Sequence, residues 1–163
     1  MKTLLIVFHS LTGGTRQMAE AAADGASDLP EVAVRLRTAH DTEPADVIGA
    51  DGYIFASPEN LAAMAGRMKD FFDRTYYPAL DRVNGRPYAT LICAGSDGEN
   101  AVRQIARIAT GWRLRPITAP LIICTHAQTP EAILAQKIIG PADLTACRDI
   151  GAALANGMAA GIF

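Results

Sequence analysis

Leu4-Leu5-Ile6-Val7-Phe8 has no polar residue on either face that a strand would present. Such a strand must be covered on both sides, the condition of a central strand in a parallel sheet flanked by helices. The pattern recurs. Gly52-Tyr53-Ile54-Phe55-Ala56, Tyr88 to Ala94 and Pro120 to Thr125 are short apolar runs that turn small and polar at their ends. Glu31 to Arg37 alternates, with Val32, Val34 and Leu36 against Arg35 and Arg37, as an edge strand does. Helical patterns separate these runs. Thr15 to Ser27 lines up Met18, Ala21, Ala22 and Gly25. Leu61 to Tyr77 lines up Met64, Met68, Phe71, Phe72 and Thr75, and Pro78 stops it. Ala101 to Thr110 repeats at Val102, Ile105 and Ile108. A last helix opens at Pro141 with Leu144, Cys147, Ile150, Leu154 and Met158 inward. Five strands alternating with helices predict an α/β fold, an open parallel sheet with right-handed crossovers.

The 163 residues fit one domain, 1–163, without linker or repeat. A net charge of −2 gives no electrostatic case for a nucleic-acid partner. No run has the length of a membrane span, so no membrane insertion is expected. The apolar start ends at His9, too short for a secretory core. Cys93, Cys124 and Cys147 form neither a C-x-x-C nor a zinc pattern, so no metal is expected. They read as buried free thiols of a cytoplasmic protein.

Ser10-Leu11-Thr12-Gly13-Gly14-Thr15 joins the first strand to the first helix. The opening N–H groups of a helix lack partners inside it, and its dipole places partial positive charge there. Glycines let the backbone close around an anion, and hydroxyls add donors without bulk. Neither G-x-x-x-x-G-K-[ST] nor G-x-G-x-x-G is present. Ligands of such sheets bind past the carboxyl ends of the strands. Three loops reach that end: residues 10–15, 57–62 and 95–100.

The first loop resembles the [ST]-x-T-G-x-T phosphate loop of flavodoxin-like proteins. Ala50-Asp51-Gly52-Tyr53-Ile54-Phe55-Ala56-Ser57-Pro58 is similar to the family's A-D-G-x-x-x-G-[ST]-P strand and loop. Ala65-Gly66-Arg67-Met68-Lys69-Asp70-Phe71-Phe72-Asp73-Arg74 is similar to its x-G-x-[ML]-K-x-F-x-D-R helix. The chain as a whole thus resembles flavodoxins, NAD(P)H-dependent FMN reductases and FMN-containing quinone oxidoreductases. The resemblance implies a three-layer sandwich with strand order 2-1-3-4-5 and FMN as cofactor. Ser10, Thr12, Gly13, Gly14 and Thr15 would hold its phosphate. Pro58, Glu59, Asn60 and Leu61 would line one side of the ring. Gly95, Ser96, Asp97 and Gly98 would line the other edge.

Two departures shape the expected function. The second and third loops lack the aromatic residues with which flavodoxins sandwich the ring, and the chain lacks the strong acidity of electron carriers. Both point toward an oxidoreductase passing reducing equivalents from NAD(P)H through FMN to a quinone or other acceptor. The alternatives are a one-electron carrier of the flavodoxin type, or a flavodoxin-like domain with weak or no flavin binding. A redox partner protein and a homo-oligomer are compatible with the resemblance, since sites in the quinone-reductase branch are commonly completed by a neighbouring subunit. No side chain is assigned as catalytic, because the chemistry would sit on the flavin. A phosphoacceptor domain would need acidic residues where Phe8-His9 and Ala56-Ser57 stand. A hydrolase would need G-x-S-x-G, which is absent. Arg16, His9, His126 and the Arg103/Arg107 face read as structural or solvated residues.

Overall fold

A computed structural model describes all 163 residues. Strand β1 (Lys2–Phe8) is central, and Leu4, Leu5, Ile6 and Val7 have no exposed surface. It pairs in parallel with β2 (Val32–Thr38) on one side and β3 (Gly52–Asn60) on the other. Beyond β3 lies β5 (Pro87–Ala94), parallel and buried along its whole length. Two short strands share the outer side of β5: β6 (Arg115–Pro116) beside its start and β7 (Leu121–Cys124) beside its end. The four long strands and β7 run β2-β1-β3-β5-β7, the expected 2-1-3-4-5 arrangement, but the sheet differs in detail: it has seven strands, the outer place beside β5 is divided between β6 and β7, and the two-residue β4 (Ala63–Met64) pairs with β3.

Helices cover both faces. On one side α2 (Pro44–Gly49), α3 (Gly66–Ala79) and α4 (Glu99–Gly111) enclose an aromatic core. Phe55 is its hub, 5.2 Å from Phe72 edge-on and 5.8 Å from the stacked Tyr53. Trp112 is fully buried there, and its indole N–H donates to the Tyr76 carbonyl at 3.0 Å, the partner a buried indole requires. On the opposite face α1 (Gly14–Ser27) and α6 (Pro141–Ala159) pack on Leu4, Ile6, Ile54 and Leu91. These two helices meet backbone to backbone. A Cβ on Gly25 would strike the Arg148 carbonyl oxygen, and one on Gly151 would strike that of Ala22.

The sequence-based boundaries need correction in several places. The helix expected from Leu61 starts only at Gly66. Residues 59–64 instead form a tight antiparallel hairpin, with Glu59 opposite Met64 and Asn60 opposite Ala63. Met64 is buried from this strand, so its four-residue spacing to Met68 imitates a helical stripe. Pro78 lies within the last turn of α3 and does not stop it. Residues 44–49 are helical, held by reciprocal bonds between the Glu43 and Asp46 side chains and each other's backbone. After β7 a short helix, α5 (Pro130–Leu134), is opened by Thr129, whose hydroxyl accepts from Ala132 N. Cys93 and Cys147 are buried free thiols, but Cys124 is only half-buried.

Candidate functional site

The apolar strands β1, β3 and β5 end together, and their following loops enclose a cleft of about 490 Å³. That volume is within the range of about 300–1,000 Å³ typical of small-ligand sites. Ser10, Thr12, Gly14 and Thr15 line it from the first loop, while Gly13 does not face it. Pro58, Glu59, Asn60 and Leu61 line it from the second. Gly95 and Ser96 line it from the third, while Asp97 and Gly98 do not face it.

Gly13 and Gly98 open α1 and α4 in nearly the same left-handed conformation, φ 90° and ψ −13° against φ 95° and ψ −16°. Their surroundings differ. The α4 terminus already holds an anion: the Glu59 carboxylate accepts from Gly98 N at 2.8 Å and Ala101 N at 3.1 Å. Glu59 is thus a brace between the second and third loops. The α1 terminus has no side-chain cap and no acidic residue in its first turn. Ser10 Oγ accepts from Gly13 N at 3.1 Å, and Gln17 Nε2 donates to the Gly13 carbonyl at 2.9 Å. One helix terminus is satisfied from within, and the other offers N–H groups and hydroxyls to the cleft.

The second loop is the β3–β4 hairpin. Leu61 and Ala62 take φ 50° and 60°, a turn that normally calls for Asn-Gly. Leu61 is fully exposed at the tip and overhangs the cleft. An apolar side chain held in a strained turn in water suits a site that offers a flat apolar surface. The hairpin is fixed at its base, where Ser57 Oγ accepts from Ala65 N at 3.1 Å and Gln104 Oε1 from Met64 N at 2.9 Å.

Sequence reasoning missed a fourth wall. After β7 the chain crosses the mouth of the cleft, and Thr125, Ala127, Gln128, Ile133, Leu134 and Lys137 line it. This strap is tied to the first loop. Lys137 N donates to the Thr12 carbonyl at 2.8 Å, and Gln17 Nε2 donates to the Lys137 carbonyl at 2.8 Å. Ile139 N donates to Gln17 Oε1 at 3.0 Å. The available signal was the apolar Ile133, Leu134 and Ile138 in an otherwise polar stretch. Cys93 forms part of the floor; a Cβ on Gly14 would lie 2.7 Å from its sulfur. Burial pushes the Cys93 thiol pKa up, against the pull of the Lys137 charge. The residue is a buried wall and not a nucleophile.

Arg16 and His126 have structural partners. The Arg16 guanidinium lies over the Phe8 ring, 5.1 Å from its centroid, and pairs with Glu20 at 3.8 Å. His126 is exposed and anchors through its own N–H to the Gly95 carbonyl at 2.8 Å. Tyr76 stacks on Trp112 at 5.7 Å, while Tyr77 projects into solvent. No group of three His, Cys, Asp or Glu side chains is placed to hold a metal. No helix is long and apolar enough to cross a membrane.

Sheet order, helix layers and a cleft at the strand ends define a flavodoxin-like protein. An archaeal flavodoxin superposes with a TM-score of 0.77 at 21% identity, covering 94% of this chain and 96% of its own. The chain belongs to the NADPH-dependent FMN reductase family, whose model matches residues 44–129, just over half its length. It is 32% identical over 98 residues to a flavodoxin of Aquifex aeolicus, covering 60% of this chain and 53% of that one. It is 34% identical over 95 residues to an NAD(P)H dehydrogenase (quinone) of Acidithiobacillus ferrooxidans, covering 46% and 48%. The chain thus spans about half the length of the curated relatives it matches.

Proposed function

We infer that the cleft binds FMN and that the protein is an oxidoreductase moving reducing equivalents from NAD(P)H to a quinone or another small acceptor. The single observation that carries this is the uncapped α1 terminus opening into a cleft that also presents apolar Leu61, Ala62, Ile133 and Leu134. Ser10, Thr12 and Thr15 hydroxyls, with the N–H groups that follow Gly13, suit a phosphate. Leu61 and Ala62 suit one side of a flat ring, and the backbone at Gly95 and Ser96 suits its polar edge. The donor set therefore fits FMN. When bound, FMN supplies the hydride and electron chemistry, and the chain's task is to hold and orient it. Asp97 and Gly98 act behind the wall: Gly98 through Glu59, and Asp97 through its carboxylate, which accepts from Glu99 N at 3.2 Å.

The family name and the quinone dehydrogenase relatives support the enzyme reading. The Aquifex flavodoxin supports the alternative, a one-electron carrier. Against the carrier stand the net charge of −2 and the absence of Trp, Tyr or Phe at 58–61 and 95–98. The three free thiols suit a reducing cytoplasm. A second copy completing the open side of the cleft is part of the same reading and is checked by sedimentation.

The deciding experiment is visible absorbance after FMN loading and gel filtration, followed by NADPH or NADH and then a quinone. Retained flavin bands that bleach with a nicotinamide and return with the quinone are expected. Bands that resist both nicotinamides would transfer the protein to the carrier class. A chain that takes up no FMN would overturn the phosphate assignment of residues 10–15.

A further inference from the structure

The flavin reading leaves one residue of the cleft unexplained. Lys137 is the only cation lining it, and no carboxylate pairs with it. Its backbone is fixed at two points, to Thr12 of the first loop and to Gln17 of α1. Its Cβ lies 3.4 Å from where a Cβ on Gly14 would stand, directly beside the uncapped start of α1. The ammonium turns back onto the end of α5, donating to the carbonyls of Ala132 and Ile133 at 2.8 Å and of Ala135 at 2.6 Å. A half-buried positive charge satisfied only by neutral carbonyls remains uncompensated in charge, and an anion at α1 lies within reach of its flexible stem.

We propose that Lys137 is the residue that selects phosphorylated flavin over unphosphorylated flavin, as the counter-charge of the phosphate held at α1. This rests on the FMN reading of the cleft. A phosphate at α1 would compete with these carbonyls for the ammonium and, unlike them, would neutralise its charge. The phosphate loop itself carries only neutral donors, so the ionic part of the affinity would come from the strap. A charge-assisted bond to a dianion is about twice as strong as a neutral one. The Coulombic pull of Lys137 on the Cys93 thiol, at the floor beside Gly14, agrees with a charge that acts toward this end of the cleft.

The test compares dissociation constants for FMN and for riboflavin, which lacks the phosphate, by flavin fluorescence quenching at low and high salt. Variants are Lys137→Met, which keeps the stem, and Lys137→Arg, which keeps the charge. Thermal unfolding of each verifies the fold. FMN binding by Lys137→Met is expected to weaken about tenfold and lose much of its salt dependence, while riboflavin changes less than about twofold. Lys137→Arg is expected to restore most of the difference. Unchanged FMN affinity would overturn the proposal. So would equal losses for FMN and riboflavin, which would make Lys137 a brace of the strap. A wild-type chain that binds neither flavin overturns the FMN reading itself, and this proposal with it.

Discussion

The Glu59 carboxylate takes the Gly98 N–H at 2.8 Å across thirty-nine positions of sequence, and the Ala101 N–H at 3.1 Å with its other oxygen. It joins the hairpin wall to the wall after β5 and caps α4 in the same contact. Removing it as Glu59→Ala leaves two helix-terminal donors without a protein partner. The expected loss is about 1–2 kcal/mol of stability, typical of a lost cap with its charge. Hydrogen exchange at Gly98 and Ala101 is expected to quicken more than elsewhere in the sheet. Glu59→Gln, which keeps one acceptor, falls between.

The Leu61–Ala62 turn trades stability for an exposed apolar tip. Replacing the pair by Asn-Gly supplies residues suited to φ 50° and 60° and is expected to raise stability by about 1–2 kcal/mol. The same change removes Leu61 from the cleft, so flavin affinity is expected to fall while the melting temperature rises. Calorimetry and flavin titration on one preparation test both; a stabler protein with unchanged affinity would remove Leu61 from the ring wall.

Gly13 is confined twice, by φ +90° and by the Gln136 side chain, which occupies the space a Cβ would need. Gly13→Ala is expected to cost about 1–2 kcal/mol and to displace the strap from the first loop. FMN retention on gel filtration should disappear with it. Gly49→Ala serves as the control: nothing lies within 4 Å of its would-be Cβ, and a gain of about 0.4–1 kcal/mol is expected.

His9 follows β1 and is half-buried. Burial first, and then the nearby Arg67 charge, hold its imidazole below the usual 6.5. The unfolded chain therefore binds this proton at a higher pH than the folded one. Stability from this group is full above about 6.5 and declines as pH falls toward the folded value. His9→Gln is expected to flatten that part of the acid slope in melts from pH 7 to 5. The NMR titration midpoint of His9 should lie below 6.5.

The sheet order was legible because β1, β3 and β5 are apolar on both faces, and the three loops followed from where those runs end. The hairpin at 59–64 was not, since Met64 and Met68 sit four apart in either a strand-plus-helix or a continuous helix. Glu59 shows the same limit. Its charge near the ring was visible in sequence, but its partners Gly98 and Ala101 belong to another crossover. The strap was hidden for a different reason. Its hold on the first loop runs through backbone groups of Thr12, Lys137 and Ile139, and only Gln17 contributes a side chain.

The seam between α1 and α6 restricts how this protein can recover from damage. At Gly25 and Gly151 the opposing group is a carbonyl oxygen of the other helix, which every amino acid carries. No second-site change can shrink it, in contrast to a collision between side chains. Suppressor selections starting from Gly151→Ala should therefore return the original glycine, or changes that re-seat a whole helix. Because α1 carries the first loop at its start, re-seating it would move the anion-facing end of the cleft as well.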